Sequence, residues 1–111
     1  MDTFTVAYLD AAMWTEGVEL RNVSKACLSQ MKHDCSLFQA KHDRLIEEST
    51  GDWSQAGHDF WLTRNHHGAG FWDGDWPEPQ ATELTRAAHA FGEFSLYETD
   101  DGTVECSQAQ N

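Results

Sequence analysis

A chain of 111 residues has the length of one folded domain. Its hydrophobic share of 40%, with five Trp and six Phe, is too high for a disordered chain. Seven Lys and Arg stand against 19 Asp and Glu, and the formal charge of −12 disfavours a direct hold on a nucleic-acid backbone.

The apolar runs are only a few residues long, and the N-terminus MDTFTVAYLD lacks a basic start and an apolar core. Neither a membrane span nor a secretory leader is expected, and the protein is read as soluble and intracellular. Three cysteines are an odd count, so all are read as free thiols, with Cys27 and Cys35 in or near the core.

In chain order, Thr3 is positioned to cap a first helix reaching about Trp14, buried over much of its girth, with Gly17 as its stop. A second helix is predicted from Ser24 to Glu48. Leu28, Met31, Cys35, Phe38 and Leu45 follow steps of three and four there, interrupted only at His42. Ser49 to Gly57 reads as a loop. From Phe60 to Arg64 large apolar and polar residues alternate, Asn65-His66-His67-Gly68 has turn chemistry, and Ala69 to Asp73 can return, which predicts a first hairpin.

Pro77 and Pro79 suit the opening of a third helix whose buried face is Ala81, Leu84, Ala88 and Phe91, closed by Gly92. A second hairpin follows, with Phe94 and Leu96 on one strand face, a turn at Asp100-Asp101-Gly102, and a return from Thr103 to Cys106. Residues 107–111 read as a frayed tail. The expectation is one α+β domain over 1–111: two N-terminal helices, then hairpin, helix and hairpin, giving an antiparallel sheet of about four strands packed against helices.

The stretch GHDFWLTRNHHGAGFWD, Gly57 to Asp73, concentrates the unusual residues of the chain. A metal reading takes His58, Asp59, His66, His67 and Asp73, because imidazole and carboxylate groups on adjacent strands could converge on a divalent ion such as zinc. Their spacing matches no ligand signature. The competing reading leaves His66 and His67 exposed in a turn and pairs Arg64 with Asp59 or Asp73 across the strands. Cys35 lies near His33 and Cys27 near Lys25, but neighbours two apart on a helix point away from each other, so the thiols read as small hydrophobes. Trp61, Phe71, Trp72 and Trp76 lack the positive groove of a base-stacking platform and read as core on one side and protein interface on the other. No cofactor is expected.

The same stretch resembles a motif of small tailed-phage proteins of undetermined role, GHDFWLTRN-x-HGAGFWD. The likeness extends to AYLDAAMW near the N-terminus, to Trp53-Ser54-Gln55-Ala56-Gly57 and to LTRAAHAFGEFSLYETDDGTV, and so covers most of the chain. It implies phage origin and action in the cytoplasm of an infected bacterium, and no particular reaction. Here His66 stands where that motif has Gly, and Gly74-Asp75 follow Trp72-Asp73 where it has a basic residue.

After Asn65 the chain holds one cation, Arg86, against nine acids. Carboxylates at that density can imitate phosphates and fill the basic groove of a nucleic-acid enzyme, although net negative charge is also an ordinary route to solubility. The leading expectation is a non-enzymatic phage protein that inhibits a host nucleic-acid-binding defence protein, such as a CRISPR effector or a restriction enzyme. Contact is expected through Asp73, Asp75, Glu78, Glu98, Asp100 and Asp101, with Trp72 and Trp76 as anchors. The alternatives are a small metal-dependent hydrolase or nuclease using His58, His66, His67 and Asp73, and a structural or regulatory phage protein with no inhibitory role.

Overall fold

A computed structural model describes residues 1–108. Four helices and one hairpin make up the fold: α1 (Thr3–Glu16), α2 (Lys25–Ser49), α3 (Trp53–Arg64), α4 (Gln80–Ala90), β1 (Phe94–Glu98) and β2 (Val104–Gln108), with a single 3-10 turn at Leu20–Asn22. The four-strand expectation is overturned, because the sheet has two strands and the fold is helix-rich. Residues 107 and 108 belong to β2 rather than to a tail, and 109–111 lie outside the described residues.

The first predicted hairpin fails for an identifiable reason. Asp52 caps a helix by accepting from Gln55 N at 2.9 Å, and that helix runs on to Arg64. From Ala56 to Arg64 every residue except His58 is buried. A helix buried nearly all round shows no amphipathic period, so the local alternation of Phe60, Leu62 and Arg64 imitates a strand. Gly57 permits this burial: a Cβ there would collide with the Phe4 carbonyl, so α1 and α3 touch backbone to backbone.

Helix α1 is capped by Asp2, one residue before the expected Thr3, through a 2.8 Å bond from Thr5 N. Gly17 ends it in the left-handed conformation (φ 66°) and donates to Met13 O. Along α2 the backbone leaves helical geometry at His42 (φ −129°, ψ 15°), where the apolar repeat is interrupted, and the His42 ring packs on Phe38. The C-terminal hairpin has the predicted place and turn, with Leu96 opposite Cys106 and Glu98 opposite Val104.

Five of the six Phe form the centre of the core. Phe38 stacks on Phe60 with ring centroids 4.2 Å apart, and Phe4, Phe71 and Phe91 each lie within 5.9 Å of Phe38. Trp61 meets Tyr8 edge to face at 5.3 Å and Phe94 at 6.3 Å. Offset and edge-to-face contacts of this kind add to the burial of apolar area itself.

Arg64 is fully buried in this aromatic centre. Its Nη1 donates to Asp34 Oδ2 at 2.9 Å and to the Tyr8 hydroxyl at 3.1 Å, while Nε and Nη2 donate to the carbonyls of Gly92 and Phe91. The rings of Phe60, Phe91 and Phe94 surround the guanidinium at 5.2 to 5.6 Å. The expected pairing with Asp59 or Asp73 is therefore replaced by one with Asp34, because helical rather than extended backbone carries Arg64 inward.

Candidate interaction surface

The acidic surface begins in the segment that links α3 to α4. Asn65 closes α3: its side-chain amide donates to Trp61 O and its Oδ1 accepts from Phe94 N at 2.8 Å, which ties the helix end to β1. His66 then adopts φ 57°, the left-handed conformation that glycine takes most readily. His67 N returns to Leu62 O at 3.0 Å, and Phe71 N donates to Thr63 Oγ1 at 3.1 Å.

Two rings staple the segment down. Phe71 and Trp76 are buried in edge-to-face contact, 5.3 Å between centroids, and the Trp76 indole donates to Asp59 Oδ2 at 2.7 Å. Trp76 was expected as a contact anchor. It is 3% exposed with its N–H engaged, so it supports the surface from beneath. Between the staples the chain bulges outward and presents Trp72, 53% exposed, beside exposed Asp73, Gly74 and Asp75. Trp72 also walls a small concavity of about 150 Å³ with Glu78, Ala81, Thr82, Thr85 and Arg86.

Several of the expected contact acids have local work as well. Asp73 Oδ2 accepts from Gly70 N at 3.3 Å. Glu78 accepts from Thr82 N and Oγ1 at 2.9 and 2.8 Å in the first turn of α4. At the hairpin tip Asp101 Oδ1 accepts from Thr99 Oγ1 at 2.6 Å and Thr103 N at 3.0 Å, and these bonds, the Thr99 hydroxyl foremost, hold its pKa at about 2. Glu98 and Asp100 are exposed on the same hairpin. The six acids therefore sit on two elements, the α3–α4 link and the hairpin tip, with Asp73, Glu78 and Asp101 held in position by these bonds.

The histidines are not brought together. His58 sits on α3 beside a cleft of about 520 Å³ lined by α1 and the start of α3, with Val6, Asp10, Ser54 and Gln55 among its walls. Its Nδ1 is 3.8 Å from Asp59 Oδ1. His66 stacks on His89 at 4.6 Å and lies 4.0 Å from Glu93, while His67 is 3.7 Å from Glu16. Among the described residues no three His, Cys, Asp or Glu side chains are grouped to hold a metal ion, so the set His58, His66, His67 and Asp73 is corrected as a ligand set. Adjacent strands would have aligned these residues; a helix followed by a turn sends each to a different neighbour.

Asp59 is the exceptional carboxylate of the region. It is 1% exposed, accepts from Gln55 Nε2 with both oxygens at 3.0 Å and from Trp76, and faces no Lys or Arg among these partners. Burial raises its pKa, the Gln55 and Trp76 bonds oppose that shift, and the negative charge of Asp73 adds to it.

Two features were not read from the sequence. Asp34 lies on the buried face of α2 between Met31 and Phe38, and an acid at such a position was the available signal for a buried partner. Trp14 is 77% exposed on α1, sharing a helix face with exposed Val6 and Asp10 at steps of four. No described helix is long and apolar enough to cross a membrane. Comparison of the chain with protein-family models, with curated proteins and with solved structures finds no match.

Proposed function

We propose that this is a phage-encoded binding protein that acts in the cytoplasm of an infected bacterium. It docks on a basic surface of a host nucleic-acid-binding defence protein, of the CRISPR-effector or restriction-enzyme kind, and blocks it. The carrying observation is the α3–α4 link, which holds an exposed Trp72 beside Asp73 and Asp75 on a segment anchored by buried Phe71 and Trp76. Tryptophan is enriched among residues that dominate binding energy, and a rigid backing lowers the entropy lost on docking. The net charge of −12 supplies long-range attraction to a cationic groove and repels phosphate chains themselves.

The resemblance of Gly57 to Asp73 to small tailed-phage proteins supports the setting. Carboxylates fixed by Thr82, by Gly70 N and by Thr99 and Thr103 are ordered charges of the sort that can stand in for phosphates.

Capture from host lysate on the immobilised protein tests the reading. A nucleic-acid-binding protein should be recovered at low ionic strength and lost as salt rises. Trp72→Ala and Asp75→Lys should each weaken capture at least tenfold while leaving the circular dichroism spectrum unchanged. Recovery of no such protein, or capture indifferent to salt and to both substitutions, would sink it.

A further inference from the structure

We infer that the outer edge of β1 is a docking site for an extended, basic segment of another protein, which joins the hairpin as a third strand. Pairing of this kind does not depend on the target or the setting proposed above. Its basis is the phase of the hydrogen bonds in the hairpin. Thr99 N donates to Thr103 O at 2.8 Å and Gly102 N to Thr99 O at 3.0 Å, so Thr99 and Thr103 form the closing bonded pair. Bonded and non-bonded pairs alternate along an antiparallel ladder. The pairs of Glu98 with Val104 and of Leu96 with Cys106 are therefore non-bonded, and Leu96 and Glu98 direct their N–H and C=O groups away from β2.

The two edges of the hairpin fare differently. On β2, Val104 O accepts from Ser24 N at 2.9 Å and Val23 bridges Val104, so the chain covers that edge where it leaves the turn. On β1, Phe94 N is taken by Asn65 Oδ1 at 2.8 Å, which closes the start of the strand. Among the described residues nothing bonds to the outward groups of Leu96 or Glu98. Two donors and two acceptors thus stand in a row, the arrangement by which an extended peptide joins a sheet.

Charge selects the occupant. Residues 93–108 carry five acids, Glu93, Glu98, Asp100, Asp101 and Glu105, and no Lys or Arg. A second copy would set two such hairpins side by side, and like charges along a shared edge oppose pairing. A cationic strand meets the opposite field. Side chains alternate along a strand, so each residue of the incomer has a definite neighbour. Opposite Leu96 it lies beside an apolar side chain packed on the core, and opposite Glu98 beside an exposed carboxylate. The residue between them lies beside the Tyr97 ring, which is 52% exposed. In an antiparallel incomer the favoured order is therefore Lys or Arg, then a cation able to lie on the ring, then Val or Ile.

The test is amide hydrogen exchange, read by NMR on the isotope-labelled full-length protein, with the end-capped peptide Thr-Lys-Arg-Val-Thr as probe. In the free protein the Leu96 and Glu98 amides should exchange fast, while those of Ser95 and Tyr97, which face β2, are protected. The peptide should slow Leu96 and Glu98 by roughly tenfold or more. Methylating the peptide's Arg backbone nitrogen, which faces away from β1, should preserve this effect. Methylating its Lys and Val nitrogens, which face β1, should abolish it. Thr-Glu-Glu-Val-Thr should not bind, and Glu98→Lys, a change at an exposed side chain, should reverse the preference between the two peptides. Exchange at Leu96 and Glu98 that stays fast at saturating peptide overturns the proposal. So does binding indifferent to the position of the methyl groups, which is adhesion by charge alone. Protection of the two amides without peptide that grows with protein concentration makes a second copy the occupant, and also overturns it.

Discussion

Arg64 Nη1 lies 2.9 Å from Asp34 Oδ2, and both residues are buried, at 0% and 3% exposure. This pair joins the end of α3 to the middle of α2, and Gln108 Nε2 adds β2 by donating to Asp34 Oδ2 at 3.3 Å. Removing one member leaves a buried charge without its partner, which costs about 3–5 kcal/mol, whereas replacing both by apolar residues of similar volume is often neutral. Asp34→Ala is expected to lower the unfolding free energy by that amount, and Asp34→Leu with Arg64→Met to restore most of it. Urea denaturation measures both; a loss below about 1 kcal/mol for the single variant would show the pair to be dispensable.

At Gly57 two effects oppose one another. Alanine is the better helix former by about 1 kcal/mol, but its methyl would strike the Phe4 carbonyl of α1. Neighbouring backbone yields poorly, so the clash wins, and Gly57→Ala is expected to destabilise by about 1–3 kcal/mol. Gly68→Ala is the control, since nothing lies within 4 Å of the added methyl. Equal melting temperatures for the two variants would refute the backbone contact.

His66 carries a left-handed backbone that costs an L-residue with a Cβ about 1–2 kcal/mol, against the roughly 0.5–1 kcal/mol of chain entropy that glycine forfeits. His66→Gly is expected to raise stability by up to about 1 kcal/mol, even though the stack on His89 is lost. A fall in the thermal midpoint would mean that the ring contact outweighs the backbone.

Asp59 should make stability depend on pH. Its folded-state pKa is raised above the ordinary 3.8. The folded state therefore binds the proton more tightly than the unfolded one. The resulting stability is fully present below the unfolded value and is lost as pH rises through the folded value. Asn at this site keeps an acceptor for Trp76, and the Gln55 amide can turn to meet it. Relative to wild type, Asp59→Asn should become progressively more stable between pH 4 and pH 7. Urea midpoints at the two ends of that range decide it, and a constant difference would contradict the raised pKa.

Much of the fold was legible because local chemistry agreed with it. Gly17 and Gly92 mark helix ends, the α2 repeat breaks at the residue where the backbone departs from helix, and Asp100-Asp101-Gly102 turns the hairpin that the structure contains. Cys27 and Cys35 are buried free thiols, as their helical setting suggested. The acidic character of the C-terminal half and the exposure of Asp73 and Asp75 were equally readable.

What tertiary structure decided is concentrated in Gly57 to Asp73. By itself the sequence indicated that most of these glycines and aromatics serve backbone and core, and it determined how much charge the chain carries and where along it the acids fall. It could not determine that Phe60 to Arg64 is helical. Helix and strand differ in sequence through the period of their buried face, and burial of nearly all of Ala56 to Arg64 among α1, α4 and α2 erases that period. The same burial chose Asp34 for Arg64 across thirty residues of sequence, turned Trp76 inward to Asp59 and left Trp72 outside. Which of two like residues faces water is set by the packing of distant elements.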